Sequence, residues 1–470
     1  MKNQFLYIAI FTFIVFLSVG SKCTENPKKP AEMLFYLTKP DKSALFEKQE
    51  TGISVATDNS LPTIEVQPEK TFQEMDGFGY TLTGGSAFHI NNMSAAKRHE
   101  LLTELFAFDK ENIGISYLRI SLGASDLDAE VFSYNDLPEG ETDVNMERFS
   151  LEPDRKFLIP VLKEILTINP EIKIMASPWS PPTWMKTNNS SIGGSLKPEY
   201  YGAYAKYFVK YVEEMGKEGI TIDAITVQNE PLHPGNNPSL LMPANEQADF
   251  IKLSLGPSFK AAGVKTKIII YDHNADRPDY PISILNDPEA AKYIDGSAFH
   301  LYGGVIENVS QVHEAHPDKN LYFTEQWIGA PGNFGGDFRW HIKNLIIGAS
   351  RNWCKTVLKW NLAADPEQKP HTPGGCDRCL GALTINGDLV TREPAYYIVA
   401  HASKFVRPGS VRIDSNIPAS LLNVAFKTPD GKIIVIVLND SGSEKNFNLK
   451  VGNEVFTSSL ISGSVGTFVF

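Results

Sequence analysis

Short apolar runs alternate with longer amphipathic stretches along most of the chain, which is the pattern of repeated strand–helix units. Ala95–Phe106 and Tyr200–Lys217 are the clearest helical stretches, because their apolar residues recur at the spacing of helical turns. Eight strand-like runs follow one another in chain order: Gly77–Thr81, Ser116–Ser121, Lys173–Trp179, Ala224–Glu230, Lys267–Asp272, Gly296–Tyr302, Asn320–Glu325 and Thr356–Trp360. Eight such units predict an α/β fold in which a (β/α)8 TIM barrel closes on itself.

The two ends of the chain carry a purely β pattern instead. Residues 32–70 contain short strand-like runs, and the part after Lys404 alternates apolar and polar residues around an Asp430-Gly431 hairpin turn. We expect both ends to pair into one side β-sandwich. The predicted domains are therefore N-terminal strands of the sandwich at 32–70, the barrel at 71–400 and the C-terminal part of the sandwich at 401–470.

The first residues predict an export signal. Lys2 precedes an apolar stretch at 5–19, which is shorter than the roughly 20 residues that a membrane-spanning helix needs. A signal peptide at 1–22 would send the protein to the periplasm, the cell surface or the extracellular medium. Cys23 leaves a lipoprotein anchored through that cysteine as an alternative, although Lys22 matches such a site poorly. Because no other long apolar run is present, we expect no transmembrane span in the mature protein.

Charge and length narrow the class of protein. Lys and Arg number 44 and Asp and Glu 55, so the formal net charge is −11 and no basic stripe is visible. A nucleic-acid partner is therefore not expected, and neutral substrates are favoured. The 470 residues exceed the roughly 250 of a typical barrel, which leaves room for an accessory domain.

Three further cysteines are Cys354, Cys376 and Cys379. The Cys-x-x-Cys pair resembles half of a zinc site, but no second pair or histidine cluster follows at metal-binding spacing. In an exported protein we expect a structural disulfide, either local or from Cys354 to one of the other two.

Polar and aromatic residues stand at the carboxyl ends of the predicted strands, where barrel enzymes place their chemistry. These candidates are Arg119 at the end of strand two and Asp126 in the loop behind it, Trp179 at the end of strand three, Asn229 and Glu230 at the end of strand four, His300 and Tyr302 at the end of strand six, Glu325 at the end of strand seven and Trp360 at the end of strand eight. Glu230 and Glu325 are 95 positions apart, which fits three strand–helix units of roughly 30 residues each. Two such carboxyl groups can act as an acid and a nucleophile on one glycosidic bond.

Each candidate also has a simpler structural interpretation. Tryptophans such as Trp179 and Trp360 are often core residues, a histidine such as His300 is often a hydrogen-bonded structural group, and Arg119 could pair with a buried acid. An aldolase would need a strand-end lysine; Lys359 lies in strand eight, but its neighbour Trp360 is better placed. Since no metal-binding cluster or dinucleotide fingerprint is visible, we expect neither a metal ion nor an organic cofactor.

Several motifs together resemble one known family. They are Asp76-Gly77-Phe78-Gly79, the long run Ala176–Lys186 (ASPWSPPTWMK), Asn229-Glu230-Pro231, His300-Leu301-Tyr302, Thr324-Glu325 and Trp360-Asn361-Leu362-Ala363. From about residue 60 to its end, the chain resembles glycoside hydrolase family 30, the family of glucosylceramidases and β-1,6-glucanases.

The resemblance implies a (β/α)8 barrel with a side β-sandwich and a two-step, double-displacement hydrolysis that retains anomeric configuration. It makes Glu230 the acid/base and Glu325 the nucleophile. The other candidates match positions that line the sugar subsite, namely Asp126, Trp179, Asn229 and Trp360, or that surround the nucleophile, namely Arg119, His300 and Tyr302.

The implied substrate is a carbohydrate, either a β-glucan or a β-glucoside. We rank β-1,6-glucan first and a β-glucoside of the kind that glucosylceramidases cleave second. A β-xylosidase or β-fucosidase of the same fold and a non-catalytic sugar-binding barrel are the alternatives. The chain departs from the family at two places. Many members carry Thr-Asp where Thr83 is here followed by Gly84, and a segment with Cys376 and Cys379 is inserted after strand eight, where we expect it to shape the cleft.

Overall fold

A computed structural model describes Met1 and residues 33–470, except residues 57 and 59. Apart from Met1, the predicted export segment and Cys23 lie outside the described residues. Within the described part of the chain, no helix combines the length and the apolar character that crossing a membrane requires.

The N-terminal part forms four strands before the barrel begins. Their bounds are β1 Leu34–Thr38, β2 Leu45–Lys48, β3 Ile53–Val55 and β4 Thr63–Glu74.

The next eight strands run parallel and close into a barrel in chain order. They are β5 Gly77–Leu82, β6 Tyr117–Ser121, β7 Lys173–Ser177, β8 Ala224–Thr226, β9 Lys267–Asn274, β10 Ile294–His300, β11 Asn320–Glu325 and β12 Cys354–Lys359. Each of the eight predicted strand runs overlaps one of these strands, and β12 pairs back onto β5 to complete the closure. The (β/α)8 barrel is thus confirmed.

Helices connect the barrel strands and cover them from outside. They are α1 Gly84–Asn91, α2 Ala95–Phe106, α3 Glu152–Arg155, α4 Leu158–Ile168, α5 Tyr201–Lys217, α6 Ala244–Phe250, α7 Gly256–Ala262, α8 Asp279–Leu285, α9 Pro288–Ala291, α10 Val309–Ala315, α11 Phe334–His341 and α12 Pro394–Ser403. Single turns of 3-10 helix lie at Thr183–Met185, Pro198–Tyr200 and Ile306–Asn308, and π-helical segments continue α6 at Ile251–Leu255 and α11 at Ile342–Ala349.

Nine more strands follow the barrel. A three-stranded sheet beside its carboxyl end consists of β13 Ala363–Ala364, β14 Leu383–Asn386 and β15 Leu389–Arg392. The C-terminal strands are β16 Val411–Ser415, β17 Leu421–Lys427, β18 Ile433–Asn439, β19 Lys445–Val451, β20 Glu454–Leu460 and β21 Val465–Val469.

Strands from both ends of the chain share one curled sheet of ten strands, in the order β2-β1-β21-β18-β17-β16-β4-β19-β20-β3. Strand β1 pairs with β21 so that Leu34 lies opposite Val469, and β4 lies between β16 and β19. This sheet encloses its own apolar core, which includes Phe35, Val435 and Phe468. The predicted side β-sandwich, built from both ends, is confirmed.

The barrel interior and its contact with the sandwich are tightly packed. Seven strand residues fill the interior of the barrel: Tyr117, Met175, Ala224, Ile269, Ala298, Tyr322 and Leu358. Because side chains fill the interior of the barrel, a ligand cavity can form at the carboxyl ends of the strands but not inside the barrel.

On the outside of the barrel, where it contacts the sandwich, His401 of α12 is buried between the hydroxyls of Thr38 and Thr467, each 2.8 Å from a ring nitrogen.

Candidate active site

A cavity of about 420 Å³ opens at the carboxyl ends of the barrel strands. All of the predicted site residues except Arg119 and His300 line it, and those two lie buried directly behind it. Its lining consists of Asp126, Trp179, Asn229, Glu230, His233, Asn236, His273, Asn274, Tyr302, Glu325, Trp327, Trp360, Cys376 and Cys379. The structure therefore brings the sequence candidates together at one face of the barrel.

Glu230 sits in a strained turn just beyond β8. Its φ is 46°, in the left-handed region that a non-glycine residue adopts at a cost of about 1–3 kcal/mol. The turn is held because the Glu230 N–H donates to the carbonyl of Asp272 at 3.0 Å and the Asn229 N–H donates to that of Pro178 at 2.8 Å. Pro231 cannot continue the strand ladder. The neighbouring backbone thus determines where the Glu230 carboxyl group points.

Glu325 is the last residue of β11 and is buried. Arg119 Nη1 donates to its Oε2 at 2.5 Å, and the hydroxyl of Tyr302 donates to its Oε1 at 3.0 Å. A carboxylate oxygen of Glu325 and one of Glu230 lie within 4.8 Å of each other. This gap is compatible with the about 5–5.5 Å between the carboxyl groups of retaining glycosidases, and it is narrower than the about 6.5–9.5 Å of inverting enzymes.

A further carboxylate, that of Asp272 near the end of β9, contacts Arg119 and His300. Its Oδ2 accepts from Arg119 Nη2 at 2.8 Å and from the Thr226 hydroxyl at 2.7 Å, and its Oδ1 contacts His300 Nε2 at 3.1 Å and accepts from Thr324 at 2.6 Å. Burial opposes the charged form, but Arg119 and these hydrogen bonds outweigh it and hold the pKa of Asp272 far below its ordinary value. Sequence analysis did not single out Asp272, although its position at a strand end was a usable signal.

His300 holds a proton between the two glutamates. Burial lowers the pKa of this imidazole, but the negative charges of Glu325, Asp272 and Glu230 outweigh burial and raise it to about 9. Burial raises the pKa of Glu230, whereas the hydrogen bond and charge of His300 lower it, and the net shift is downward. For Glu325 the net shift is upward, because burial outweighs His300 and Arg119. His300 Nδ1 contacts Glu230 Oε1 at 3.1 Å, so the imidazole of His300 is placed to pass a proton to this carboxyl group.

Aromatic rings and one more carboxyl group form another part of the cavity wall. The rings of Trp179 and Trp360 lie 5.5 Å apart between centroids, and the guanidinium of Arg119 packs over Trp179 at 4.8 Å. Asp126 is buried beside them, where burial and the charge of Glu325 raise the pKa of its carboxyl group to about 7 against the opposing hydrogen bond from the Cys376 N–H. Flat rings and a carboxyl acceptor are the groups that bind sugar faces and hydroxyls.

Sequence analysis missed several residues that line the same cavity. His233 and Asn236 follow β8, His273 and Asn274 are the last two residues of β9, and Trp327 follows β11. His273 is buried, and its Nδ1 has no hydrogen-bond partner among the described residues. A strand-end position was the available signal for His273, Asn274 and Trp327; His233 and Asn236 lie in a loop whose course only the fold determines.

The missing acid at Gly84 has a steric explanation. A Cβ atom on Gly84 would lie 1.6 Å from Oδ1 of Asp128, so the Asp128 carboxylate occupies the space that a side chain would need. No side chain therefore fits at position 84 while Asp128 holds this position.

The inserted cysteines form a local disulfide, Cys376–Cys379, while Cys354 is a buried free thiol among the described cysteines. The local pairing is therefore the one of the expected alternatives that the structure contains.

The spacing of Glu230, His300 and Glu325 would also admit a cation, since one ligand atom of each lies within 4.8 Å of the others. However, the guanidinium of Arg119 already neutralises Glu325 at 2.5 Å and would repel a second positive charge. The donor set therefore fits acid–base chemistry better than metal binding.

A paired-carboxylate cavity at the carboxyl face of a (β/α)8 barrel with a side sandwich defines a glycoside hydrolase. More particularly, the chain belongs to glycosyl hydrolase family 30. The family's TIM-barrel domain matches residues 75–406, and its β-sandwich domain matches residues 409–468.

Individual relatives agree with this family. An endo-1,6-β-D-glucanase of Neurospora crassa is 32% identical over 431 residues, which are 87% of each chain. The lysosomal acid glucosylceramidase of Mus musculus is 31% identical over 412 residues, covering 81% of this chain and 78% of the relative. The solved structure of an endo-β1,6-glucanase is 37% identical, with a TM-score of 0.87, and covers 93% of this chain and 99% of that one.

Proposed function

We propose that this protein is an exported, retaining β-glycoside hydrolase that cleaves β-1,6-linked glucan, with Glu230 as acid/base and Glu325 as nucleophile. The observation that carries the proposal is the separation of the two carboxylates, which approach within 4.8 Å. This leaves a sugar carbon between them but no room for the attacking water of an inverting enzyme.

In the first step Glu325 attacks the anomeric carbon while Glu230 protonates the departing glycosidic oxygen, so a covalent glycosyl-enzyme forms and the leaving group is released. In the second step Glu230, now ionised, removes a proton from water, which attacks the same carbon and frees Glu325. Two inversions at one carbon give net retention. His300, 3.1 Å from Glu230, would supply the proton that Glu230 gives to the leaving group.

The other residues divide between holding the sugar and holding the catalytic pair. We propose that Asp126, Trp179, Asn229 and Trp360 bind the glucose unit that is attacked; all four line the cavity. Arg119, His300 and Tyr302 orient the two glutamates through the hydrogen bonds described above.

The leaving-group side of the cavity favours a carbohydrate over a lipid. The acid must reach the departing oxygen, so the leaving group lies beside Glu230. The lining there is polar, with His233, Asn236, His273 and Asn274, and no aliphatic side chain lines the cavity within the described part of the chain. A ceramide would need an apolar surface next to the scissile bond. We therefore place β-1,6-glucan first and a glucosylceramide-like β-glucoside second, and the named endo-1,6-β-glucanase relatives support this order.

The proposal includes export by a signal peptide at 1–22, suggested by Lys2 and the apolar stretch behind it. The barrel at 71–400 would carry the catalysis between sandwich segments at 32–70 and 401–470. Mass spectrometry of the mature protein should find the first residues removed, and a lipid on Cys23 would identify the anchored form.

Product analysis tests the activity. The wild-type protein is incubated with β-1,6-glucan, glucosylceramide, an aryl β-glucoside and an aryl β-xyloside, and NMR follows the anomer that is released first. We expect β-1,6-glucan to be cleaved with the β-anomer appearing first. Initial release of the α-anomer would contradict retention, and turnover of glucosylceramide alone would reverse the order of substrates.

A variant comparison tests the leaving-group side separately. His273→Ala removes a group that we place against the second sugar. On gluco-oligosaccharides kcat/KM should therefore fall about twofold to tenfold, in line with the about 0.5–1.5 kcal/mol of one hydrogen bond, and on the aryl glucoside it should fall little. Trp360→Ala, on the attacked glucose, should reduce both activities alike. Equal losses for His273→Ala would show that His273 does not contact the leaving group.

A further inference from the structure

The segment 372–379, which we name the disulfide loop, lies between β13 and β14 and touches Asp126. The Thr372 N–H donates to the Asp126 carbonyl at 2.9 Å, and the Cys376 N–H donates to the carboxylate Oδ2 of Asp126 at 3.2 Å. The loop thus contacts both the backbone and the side chain of one sugar-facing residue, more than 200 positions away in the sequence.

The disulfide itself forms part of the sugar cavity. Cys376 and Cys379 both line it. Cys379 is buried in a small apolar cluster with Leu127, Trp179 and Trp360, against which Cys376 packs from its partly exposed side. The bridge therefore contacts the same aromatic wall that we assign to the attacked glucose.

The far side of the disulfide loop is anchored to two other loops of the barrel. Arg378 donates from Nη2 to the carbonyl of Ala330 at 2.7 Å, and Cys379 pairs with Gly329 in an isolated β-bridge. Asn361 Nδ2, directly after Trp360, donates to the Cys379 carbonyl at 3.0 Å. The loop joins the segments that follow β6, β11 and β12.

We propose that the disulfide loop is a positioning element of the glucose subsite, which holds the Asp126 carboxylate in its sugar-binding orientation only while Cys376 and Cys379 are joined. This inference rests on the proposed role of Asp126 in binding the glucose unit. The physical reason is that the bridge restricts the loop around the Cys376 N–H, so the donor stays aimed at Oδ2 without the entropy cost of ordering a free loop.

The disulfide loop packs so closely against Asp126 at Gly375 that a side chain at this position would not fit. A Cβ atom on Gly375 would lie 2.5 Å from the Asp126 carbonyl oxygen and 2.7 Å from Thr372 Oγ1. A side chain there would have to push the loop away from Asp126. Gly375→Ala therefore displaces the loop while leaving the disulfide intact.

The first test is a double-mutant cycle. Cys376→Ser with Cys379→Ser is made in the wild type and in an Asp126→Asn background, and kcat and KM are measured on an aryl β-glucoside. In the wild type we expect kcat/KM to fall about tenfold to a hundredfold, the cost of misplacing a binding group by about an ångström. In the Asp126→Asn background the same change should cost less than threefold, because the group that the loop positions is already altered.

A pH profile separates positioning from a merely structural effect. The Cys376 N–H opposes the rise of the Asp126 pKa to about 7, so loss of this donor should move the acidic limb of kcat/KM to higher pH. A loop that only stabilised the fold would lower the fraction of active enzyme without moving the limb.

Gly375→Ala is the second variant, and Gly442→Ala in an open loop of the sandwich is its matched control. Gly375→Ala should reproduce the loss of kcat/KM with the bridge still formed, and Gly442→Ala should leave it unchanged. If the serine variant does not fold, reduction of the folded wild type with TCEP, with thiols counted by mass after alkylation, gives the same comparison.

The outcomes distinguish the two proposals. Suppose that the wild-type protein hydrolyses the aryl β-glucoside. The positioning role is then overturned if both loop variants keep kcat/KM within twofold of wild type. It is also overturned if the loop variants lose the same factor of kcat/KM in the Asp126→Asn background as in the wild type. If the wild type hydrolyses no β-glycoside, the proposed function fails, and calorimetric binding of the glucose-shaped iminosugar 1-deoxynojirimycin still tests the loop. Equal affinity in wild type and loop variants would then overturn it as well.

Discussion

Arg119 Nη1 donates to Oε2 of Glu325 over 2.5 Å, with relative exposures of 0% and 7% for the two side chains. A permanent cation therefore contacts a buried carboxylate at the carboxyl end of the barrel. Because the same guanidinium also donates to Asp272 and Asn229, the position of Glu325 is coupled to residues at the ends of β8 and β9. A lysine could not replace Arg119, because its ammonium group is a compact point charge without the planar set of N–H donors of a guanidinium.

Removing this cation should destabilise the fold as well as the reaction. Arg119→Met leaves Glu325 and Asp272 buried without their counter-charge, so the free energy of unfolding should fall by about 3–5 kcal/mol, as when one partner of a buried ion pair is deleted. Urea unfolding at neutral pH measures it. Arg148→Gln breaks the exposed pair with Glu141 and should cost at most about 1 kcal/mol. Equal losses in both variants would contradict the central position of Arg119.

Azide rescue should separate the roles of the two glutamates. Glu230→Ala should retain the first step on an aryl glycoside with a good leaving group, and azide should then yield the β-glycosyl azide. In Glu325→Ala azide should attack from the opposite face and yield the α-product, because nucleophile and acid/base stand on opposite sides of the anomeric carbon. NMR of the glycosyl azides gives the anomeric configuration that each variant produces. The reverse pattern would exchange the roles, and full activity in both variants would remove the pair from the active site.

The alkaline limb of the activity should depend on His300. In the wild type His300 keeps its proton up to a pH of about 9, its raised pKa, and loss of this proton beside Glu230 should lower kcat/KM above that pH. In His300→Asn the proton rests on Glu230 alone and is lost at lower pH, so the limb should move down. His316→Asn, at the end of α10, should not move it. An unchanged limb in His300→Asn would show that another group holds the proton.

His401 should make the contact of barrel and sandwich sensitive to acid. Burial lowers its pKa from 6.5 to about 3, so the folded protein keeps the ring neutral where the unfolded chain takes up a proton. The contribution of His401 to stability is therefore complete above pH 6.5 and is lost as the pH falls towards 3. His401→Gln cannot titrate, so its free energy of unfolding should fall less steeply between pH 7 and pH 4. Parallel curves would contradict this linkage.

The periodicity of apolar residues in the sequence predicted most of the fold. Every predicted strand run overlaps a barrel strand, because a buried strand is a local feature that eight or fewer residues encode in apolar and β-branched side chains. The strand-end rule then selected residues such as Glu325, which the structure places in the cavity beside Tyr302. Glu230 followed from the same rule and from the Asn-Glu-Pro motif, although the strand ends at Thr226 and Glu230 lies four residues further on, in a left-handed turn that the pattern does not predict.

The sequence by itself determined the barrel, the sandwich from both chain ends and the motif residues, since periodicity and short motifs are properties of neighbouring positions. Only the tertiary structure decided that Asp272 joins Arg119 to His300, that the Asp128 carboxylate occupies the space beside Gly84, and that Cys376 contacts Asp126. Arg119 and Asp272 are 153 positions apart, and Asp126 and Cys376 are 250 apart. Contacts at such separations depend on loop paths and on which carboxylates remain charged after burial, and both are settled by the packing of the whole barrel rather than by any local pattern.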